Sequence, residues 1–341
     1  MGGNEPFLIA EVGQNHDGSL GAAHAYIDAI AKTGAHAVKF QTHIACAESS
    51  AHEPWRVRFG FQDATRYDYW KRMEFSERQW IGLLEHSTER GLVFLSSPFS
   101  LEAVELLDRI GIPAWKVGSG EVTNLPMLER IAQTGKPVLI SSGMSTWEEL
   151  DEAVLTVRRR GATVVLMQCT SLYPCPPDKL GLNILAHARD RYDCPVGLSD
   201  HSGTTYGGLA AVALGAQFVE VHVTFSRDCF GPDVATSITI SELKDLAQGI
   251  KFIHTAVTTT VDKQAMVEEM PEMRRVFGKS IFAARDLPAG LCLTERDLAF
   301  RKPGIGIPAR RYRDMLNRPL RRAVMANEPL KEDDLEPAQP A

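Results

Sequence analysis

The sequence predicts a (β/α)8 barrel over residues 1–258, a linker over 259–279 and a small β-rich domain over 280–341. Three observations carry this reading. Eight short β-type apolar runs alternate with helix-like stretches up to about residue 257. The runs are continuously apolar, as in strands buried on both faces of a parallel sheet. Nearly every run also begins apolar and ends polar, and a barrel of this kind gathers its functional groups at the C-terminal ends of its strands.

In chain order the runs are FLIAEVG (7–13), HAVKFQTH (36–43), LVFLSSPF (92–99), AWKVGSGE (114–121), PVLISSGM (137–144), VVLMQCTS (164–171), CPVGLSDHS (194–202) and FVEVHVTF (218–225). Helix-like stretches such as LEAVELLDRI, TWEELDEAVLTVRRRG and TYGGLAAVALG separate most of them. An open doubly wound sheet is the structural alternative, since it also collects ligands at strand ends. No G-x-G-x-x-G follows the first run, which weakens its dinucleotide-binding version. The loop Gln14-Asn15-His16-Asp17-Gly18 is either functional or a turn, with Ser19 as cap of the first helix. One connection, 44–75, is long and rich in aromatic and charged residues, and reads as a lid or an active-site wall. After a last barrel helix at 241–257, the polar and unpatterned TTTVDKQAMVEEMPEMRRVFGK reads as the linker. Beyond Ser280, DLPAG and KPGIG punctuate short strands. A unit of roughly sixty residues is small enough to need a partner surface.

The polar strand ends hold the candidate chemistry. His201 and His222 close two successive runs, an arrangement that fits a metal site with open positions for water and substrate. The plain alternative is two hydrogen-bonded core histidines. Asp200 and Glu220 are then orienting acids or barrel-layer polar residues. Lys39 and Lys116 end otherwise apolar strands and require a negative partner. They form an anion clamp, a Schiff-base centre, or internal ion pairs with Glu11 or Glu121. The glycines and Ser119 after Lys116 favour the clamp, and Ser141 and the Cys169-Thr170-Ser171 end repeat the pattern. Glu11 and Glu121 are acid–base candidates or neutralise the lysines.

Several classes are disfavoured. A net charge of −6 is not that of a general nucleic-acid or membrane-surface binder. The six cysteines are scattered, with no C-x-x-C pair, and read as free buried thiols in a reducing cytosol. No run is long enough to span a bilayer. The start MGGNEPFLIAEVG lacks a signal-peptide pattern, and also the Ser or Thr of a myristoylation motif.

Taken together and in order, IAEVGQNHDGSL, VKFQTH, FLSSPF, PAWKVGSGE, LISSGM, CTSLYPCP, GLSDHS, VALGA and GPD resemble the sialic acid synthase family, the phosphoenolpyruvate-dependent nonulosonic acid synthases. The tail from Ser280 resembles that family's antifreeze-like SAF domain, a β-clip. The resemblance implies a TIM barrel whose tail caps the barrel of a partner in a domain-swapped homodimer. It implies condensation of phosphoenolpyruvate with the aldehyde of an N-acylhexosamine, such as N-acetylmannosamine or a diacetamido hexose, to a nine-carbon 2-keto-3-deoxy acid with release of phosphate. It implies a divalent metal on His201 and His222, usually Mn2+, with Mg2+ or Co2+ as alternatives. By the same resemblance Lys39, Ser97, Lys116, Ser119, Ser141, Ser171 and Tyr173 surround phosphoenolpyruvate, with Gln41 in the polar wall. Glu121 handles the proton of the new hydroxyl, Glu11 positions or activates water, and Asp233 and Glu272 meet sugar hydroxyls. A cytoplasmic location follows.

The chain also departs from the pattern. Arg301-Lys302-Pro303-Gly304 stands where relatives often carry Lys-Arg-Pro-Gly, so either Lys302 or Arg301 reaches the partner's substrate. Ser171 replaces a common Asn, Val221 a common basic residue, and the aromatic 53–75 segment is unlike plain N-acetylneuraminate enzymes. The acceptor sugar is therefore left open. The competing readings are a Schiff-base aldolase using Lys116 and a non-catalytic carbohydrate-binding or surface-assembly protein.

Overall fold

A computed structural model of the chain describes residues 5–55 and 62–337. It divides into two units, Met1–Thr259 and Thr260–Ala341. In the first, eight strands follow one another in the order of the sequence: β1 (Phe7–Glu11), β2 (Ala37–Thr42), β3 (Val93–Pro98), β4 (Trp115–Val117), β5 (Val138–Ser141), β6 (Val164–Cys169), β7 (Val196–Asp200) and β8 (Phe218–Thr224). All neighbours pair in parallel, and β1 pairs with β8 to close the barrel. The predicted TIM barrel is thus the observed one.

Side chains alternate between the two faces of a strand. One parity packs outward against the helices: Leu8 and Ala10, Val38 and Phe40, Trp115 and Val117, Val138 and Ile140, Val219 and Val221. The other parity points inward. At the N-terminal ends it forms a small apolar plug of Ile9, Ala37, Leu95, Ala114, Leu139, Val165, Met167 and Phe218. Gly197 makes this plug fit. A Cβ there would lie 2.6 Å from Met167 Sδ and 2.5 Å from the Phe218 carbonyl oxygen. Any larger residue would displace the side chains that fill the barrel floor.

Local chemistry fixes the elements around the barrel. Ser19 caps Leu20–Ile30 as its position predicts, and Thr146 with Glu149 forms a capping box on Trp147–Arg158. The long connection holds two helices, Ala45–Glu48 and Arg66–Met73. Arg72 anchors the second helix, pairing with Asp17 and Asp63 at 2.8 Å each. Residues 56–61 of the aromatic segment lie outside the described residues.

In the second unit, the stretch expected to be an unpatterned linker forms two short helices, Lys263–Glu268 and Pro271–Phe277. Asp262 caps the first and Pro271 opens the second, signals that their brevity hides from periodicity. Ser280–Ala283 and Leu298–Arg301 then pair antiparallel. They lie over a core that includes Ile281, Leu293, Met315, Leu320 and Leu330. All six cysteines are free, but only Cys169 and Cys175 are buried; Cys46, Cys229 and Cys292 are exposed, against expectation. Among the described residues no helix is long and apolar enough to cross a membrane.

His16 is 1% exposed and tilted against Phe75, and its Nδ1 accepts the Gly18 N–H at 3.1 Å. Burial, reinforced by nearby His43 and Arg72, pushes its imidazole down to about 3. The unfolded chain therefore takes up this proton first as the pH falls. His16's contribution is fully present above its unfolded value near 6.5 and is lost as pH falls toward about 3. We expect this group to remove about 1.4 kcal/mol of stability per pH unit below that value. Urea unfolding between about pH 7 and about pH 5 should show a shallower pH slope for His16→Gln than for the wild type, and equal slopes would contradict this account.

Candidate active site

The inward parity that is apolar at the barrel floor turns polar at the other end. Glu11, Lys39, Gln41, Ser97, Lys116, Ser141, Cys169, Ser199, Glu220 and His222 line one cavity of about 500 Å3. His201, one residue past β7, keeps the same parity and joins them, as do Ser119, Glu121, Ser171, Tyr173 and Asp233 from the loops. Glu48, Glu53, Trp55, Arg66, Tyr69 and Trp70 of the long connection form part of its wall.

At the bottom of the cavity lie two lysines and two carboxylates, each with its side chain no more than 4% exposed. Lys39 Nζ is 2.6 Å from Glu11 Oε2 and 3.7 Å from Glu220 Oε1. Lys116 Nζ is 2.9 Å from Glu220 Oε1, so its partner is Glu220, where the ion-pair alternative offered Glu11 or Glu121. The Ser199 hydroxyl donates to Glu220 at 3.1 Å, and Gln41 Nε2 donates to Glu11 Oε1 at 2.8 Å. Burial alone would raise Glu220, but Lys116 and Lys39 outweigh it and hold the carboxyl at about 2. Burial wins at Glu11 and keeps its carboxyl above the usual range, although Lys39 opposes it. Lys39 is raised, because Glu11 and Glu220 together outweigh its own burial. Glu121 sits apart on the Ser119–Glu121 turn, hydrogen-bonded by Asn124 at 2.9 Å, and burial raises it too.

Around the lysines stand the hydroxyls of Ser97, Ser119, Ser141 and Ser171. Lys39 donates to Ser97 at 3.3 Å, and Ser141 Oγ is buried without a partner among the described residues. Gly143 closes this side; a Cβ on it would fall on the Ser171 and Ser119 hydroxyls. Two ammonium groups, their counter-charges Glu11 and Glu220, and several hydroxyls thus face one space.

The two imidazoles face the same cavity with ring centroids 5.3 Å apart. His201 Nδ1 lies 3.0 Å from the Thr170 carbonyl, which fixes the proton there and leaves Nε2 toward the Tyr173 hydroxyl at 3.2 Å. Burial pushes His222 down to about 4, so it is neutral, the ligand form. Among the described residues its Nδ1 is buried without a hydrogen-bond partner, 3.8 Å from Asp233 Oδ2. This donor pair fits a divalent cation. Among the described residues no group of three or more His, Cys, Asp or Glu is arranged to hold one, so the remaining ligands would be water or substrate. Asp200, read as a possible orienter, faces away and accepts the Ser202 N–H at 2.7 Å.

Comparison with known proteins gives the family. The NeuB family model matches residues 26–262 and the SAF domain model matches 278–336. The chain belongs to the NeuB family. It is 34% identical to the N,N'-diacetyllegionaminic acid synthase of Campylobacter jejuni, over 96% of this chain and 98% of that one. It is 29% identical to the pseudaminic acid synthase of Helicobacter pylori, over 97% and 98% of the two chains. Among solved structures, the N-acetylneuraminic acid synthetase of Leptospira borgpetersenii superposes with a TM-score of 0.70 at 30% identity, covering 80% of this chain and 93% of that one.

Two of the expected NeuB site residues lie in the second unit. Glu272 is paired with Arg275 at 2.6 Å, and Lys302 Nζ sits 4.9 Å over the Phe277 ring. Cys169, Ser199 and Gln14 line the cavity although none was singled out as a site residue; Gln14 stood in a loop read as functional or a turn, and Cys169 in a strand end read with the clamp. Strand parity was the signal for the first two, since each lies two residues before a residue already singled out or shares its face.

Glu220→Gln would leave Lys116 buried without its counter-charge. We expect a loss of about 3–5 kcal/mol, read as a lower unfolding temperature. Added inorganic phosphate should restore more stability to this variant than to the wild type; an unchanged unfolding temperature would contradict the pairing.

Proposed function

We propose that this NeuB-family chain is a metal-dependent nonulosonic acid synthase. It joins phosphoenolpyruvate to the open-chain aldehyde of an N-acylated hexosamine and releases inorganic phosphate. The observation that carries the reading is the buried group of Lys39 and Lys116 with Glu11 and Glu220, ringed by serine hydroxyls, in one cavity with the imidazoles of His201 and His222.

In this reading Lys39 and Lys116 hold the phosphate and carboxylate of phosphoenolpyruvate, aided by Ser97, Ser119, Ser141 and Ser171. Gln41 and Tyr173 complete the wall. His201 and His222 would hold the divalent cation, Mn2+ with Mg2+ or Co2+ as alternatives. When bound, it supplies Lewis acidity toward the aldehyde oxygen. C3 of phosphoenolpyruvate bonds to C1 of the sugar, and Glu121 gives the new hydroxyl its proton; its raised carboxyl suits donation. Water adds at C2, positioned or activated by Glu11, and the bond from C2 to the phosphate oxygen then breaks. Asp233 accepts from a sugar hydroxyl. The second unit serves a partner's barrel in a domain-swapped cytoplasmic homodimer, bringing Glu272 and Lys302, or Arg301, to its acceptor. The Schiff-base reading needs a free amine at Lys116, and the 2.9 Å contact with Glu220 gives it no support.

The test is phosphate release from phosphoenolpyruvate with Mn2+ across N-acetylmannosamine, mannose and diacetamido hexoses. One or more N-acyl sugars should support release, EDTA should abolish it, and His222→Ala should lower it at least about 100-fold. Folded protein that releases phosphate with none of these sugars would overturn the reading.

A further inference from the structure

A line of hydrogen bonds leaves the charged centre through the wall of the cavity. Gln41 gives its amide N–H to Glu11 Oε1 at 2.8 Å, which turns its carbonyl toward Gln14. Gln14 Nε2 lies 2.7 Å from that carbonyl and 2.7 Å from His43 Nε2. His43 Nδ1 is in turn 2.6 Å from the Glu48 carboxylate.

Each link fixes the direction of the next. A carboxylate only accepts, so His43 carries its proton on Nδ1 and presents Nε2 as an acceptor. The two hydrogens of the Gln14 amide then satisfy His43 and Gln41, and Gln41 is left with its N–H aimed at Glu11. Were the amide of Gln41 turned over, its carbonyl would face the Glu11 oxygen.

The line is also held rigid. His43 is stacked between Trp70, at 4.1 Å and 16°, and Phe99, at 4.5 Å and 13°. Gln14 and His43 are each 3% exposed. The Gln14 backbone N–H is fixed to Asp233 Oδ2 at 3.1 Å. Glu11 Oε2 is taken by Lys39, so Oε1 is the oxygen whose orientation the line determines.

We propose that Gln14, His43 and Glu48 are positioning residues that orient Glu11 for its step through Gln41. This rests on the synthase reading, because Glu11 has a step only if that reaction occurs. All three line the same cavity, and in this proposal they act through Gln41 and not by contact with either substrate. Breaking the line therefore slows turnover and leaves the binding of phosphoenolpyruvate to the lysines and serines intact.

The experiment uses the full-length protein, Mn2+ and whichever panel sugar supports phosphate release. Gln14→Leu should lower kcat at least about ten-fold, with KM for phosphoenolpyruvate changed less than about three-fold. In a Glu11→Gln background the same substitution should cost less than about two-fold, because the group it orients is gone. The conservative His43→Gln, which keeps a donor and an acceptor, should retain more of the wild-type kcat than His43→Leu, and this comparison stands if Gln14→Leu fails to fold. Full and additive losses in the Glu11→Gln background, or kcat unchanged in both Gln14→Leu and His43→Leu, would overturn the proposal while wild-type turnover still upheld the synthase reading. Absence of wild-type turnover with every sugar would overturn both.

Discussion

Glu220 lies between Lys39 and Lys116 inside a closed barrel, and most of the site follows from that arrangement. Two buried ammonium groups without a counter-charge would not persist. Glu11 lies against Lys39, and one oxygen of Glu220 is shared between Lys39 and Lys116. These carboxylates hold the lysines inside the barrel, and the hydroxyls around them add polar groups without adding charge. The barrel makes this possible because β8, which carries Glu220, pairs with both β7 and β1, within reach of β2 and β4 across the interior.

The same period of two organises everything else. The floor of the barrel is apolar because Ile9, Leu95, Leu139, Met167 and Phe218 point inward, and the mouth is polar because the next residues of that parity are Glu11, Ser97, Ser141, Cys169 and Glu220. Stability and function thus occupy successive layers of one set of strands. The intervening residues of the other parity pack against the helices. Val221 is an instance: its place before His222 is one of packing against the outer helices.

Much of this was legible in the sequence. All eight strands lie within the apolar runs, because parallel strands buried on both faces need continuous apolar residues. The closing polar residues marked the mouth of the barrel. Parity, however, is what separates cavity from surroundings, and polar strand ends alone do not reveal it. Thr170 and Asp200 were polar ends like the others, yet Thr170 donates to the Lys179 carbonyl and Asp200 turns to Ser202. Ser199 and Cys169 stood in the same motifs and face inward. The Lys116–Glu220 pair spans 104 residues and depends on barrel closure, which no local pattern encodes. The short helices after residue 259 carry too few turns for a periodic signal and are defined by Asp262 and Pro271 instead.

In the proposed reaction the lysine pair holds phosphoenolpyruvate while its C–O bond to phosphate breaks. Turnover of phosphoenolpyruvate labelled with heavy oxygen at the bridging position, with mass analysis of both products, tests this most directly. Label in inorganic phosphate and unlabelled keto acid are the expected products. Label retained in the organic product, or pyruvate trapped on Lys116 by borohydride, would contradict it.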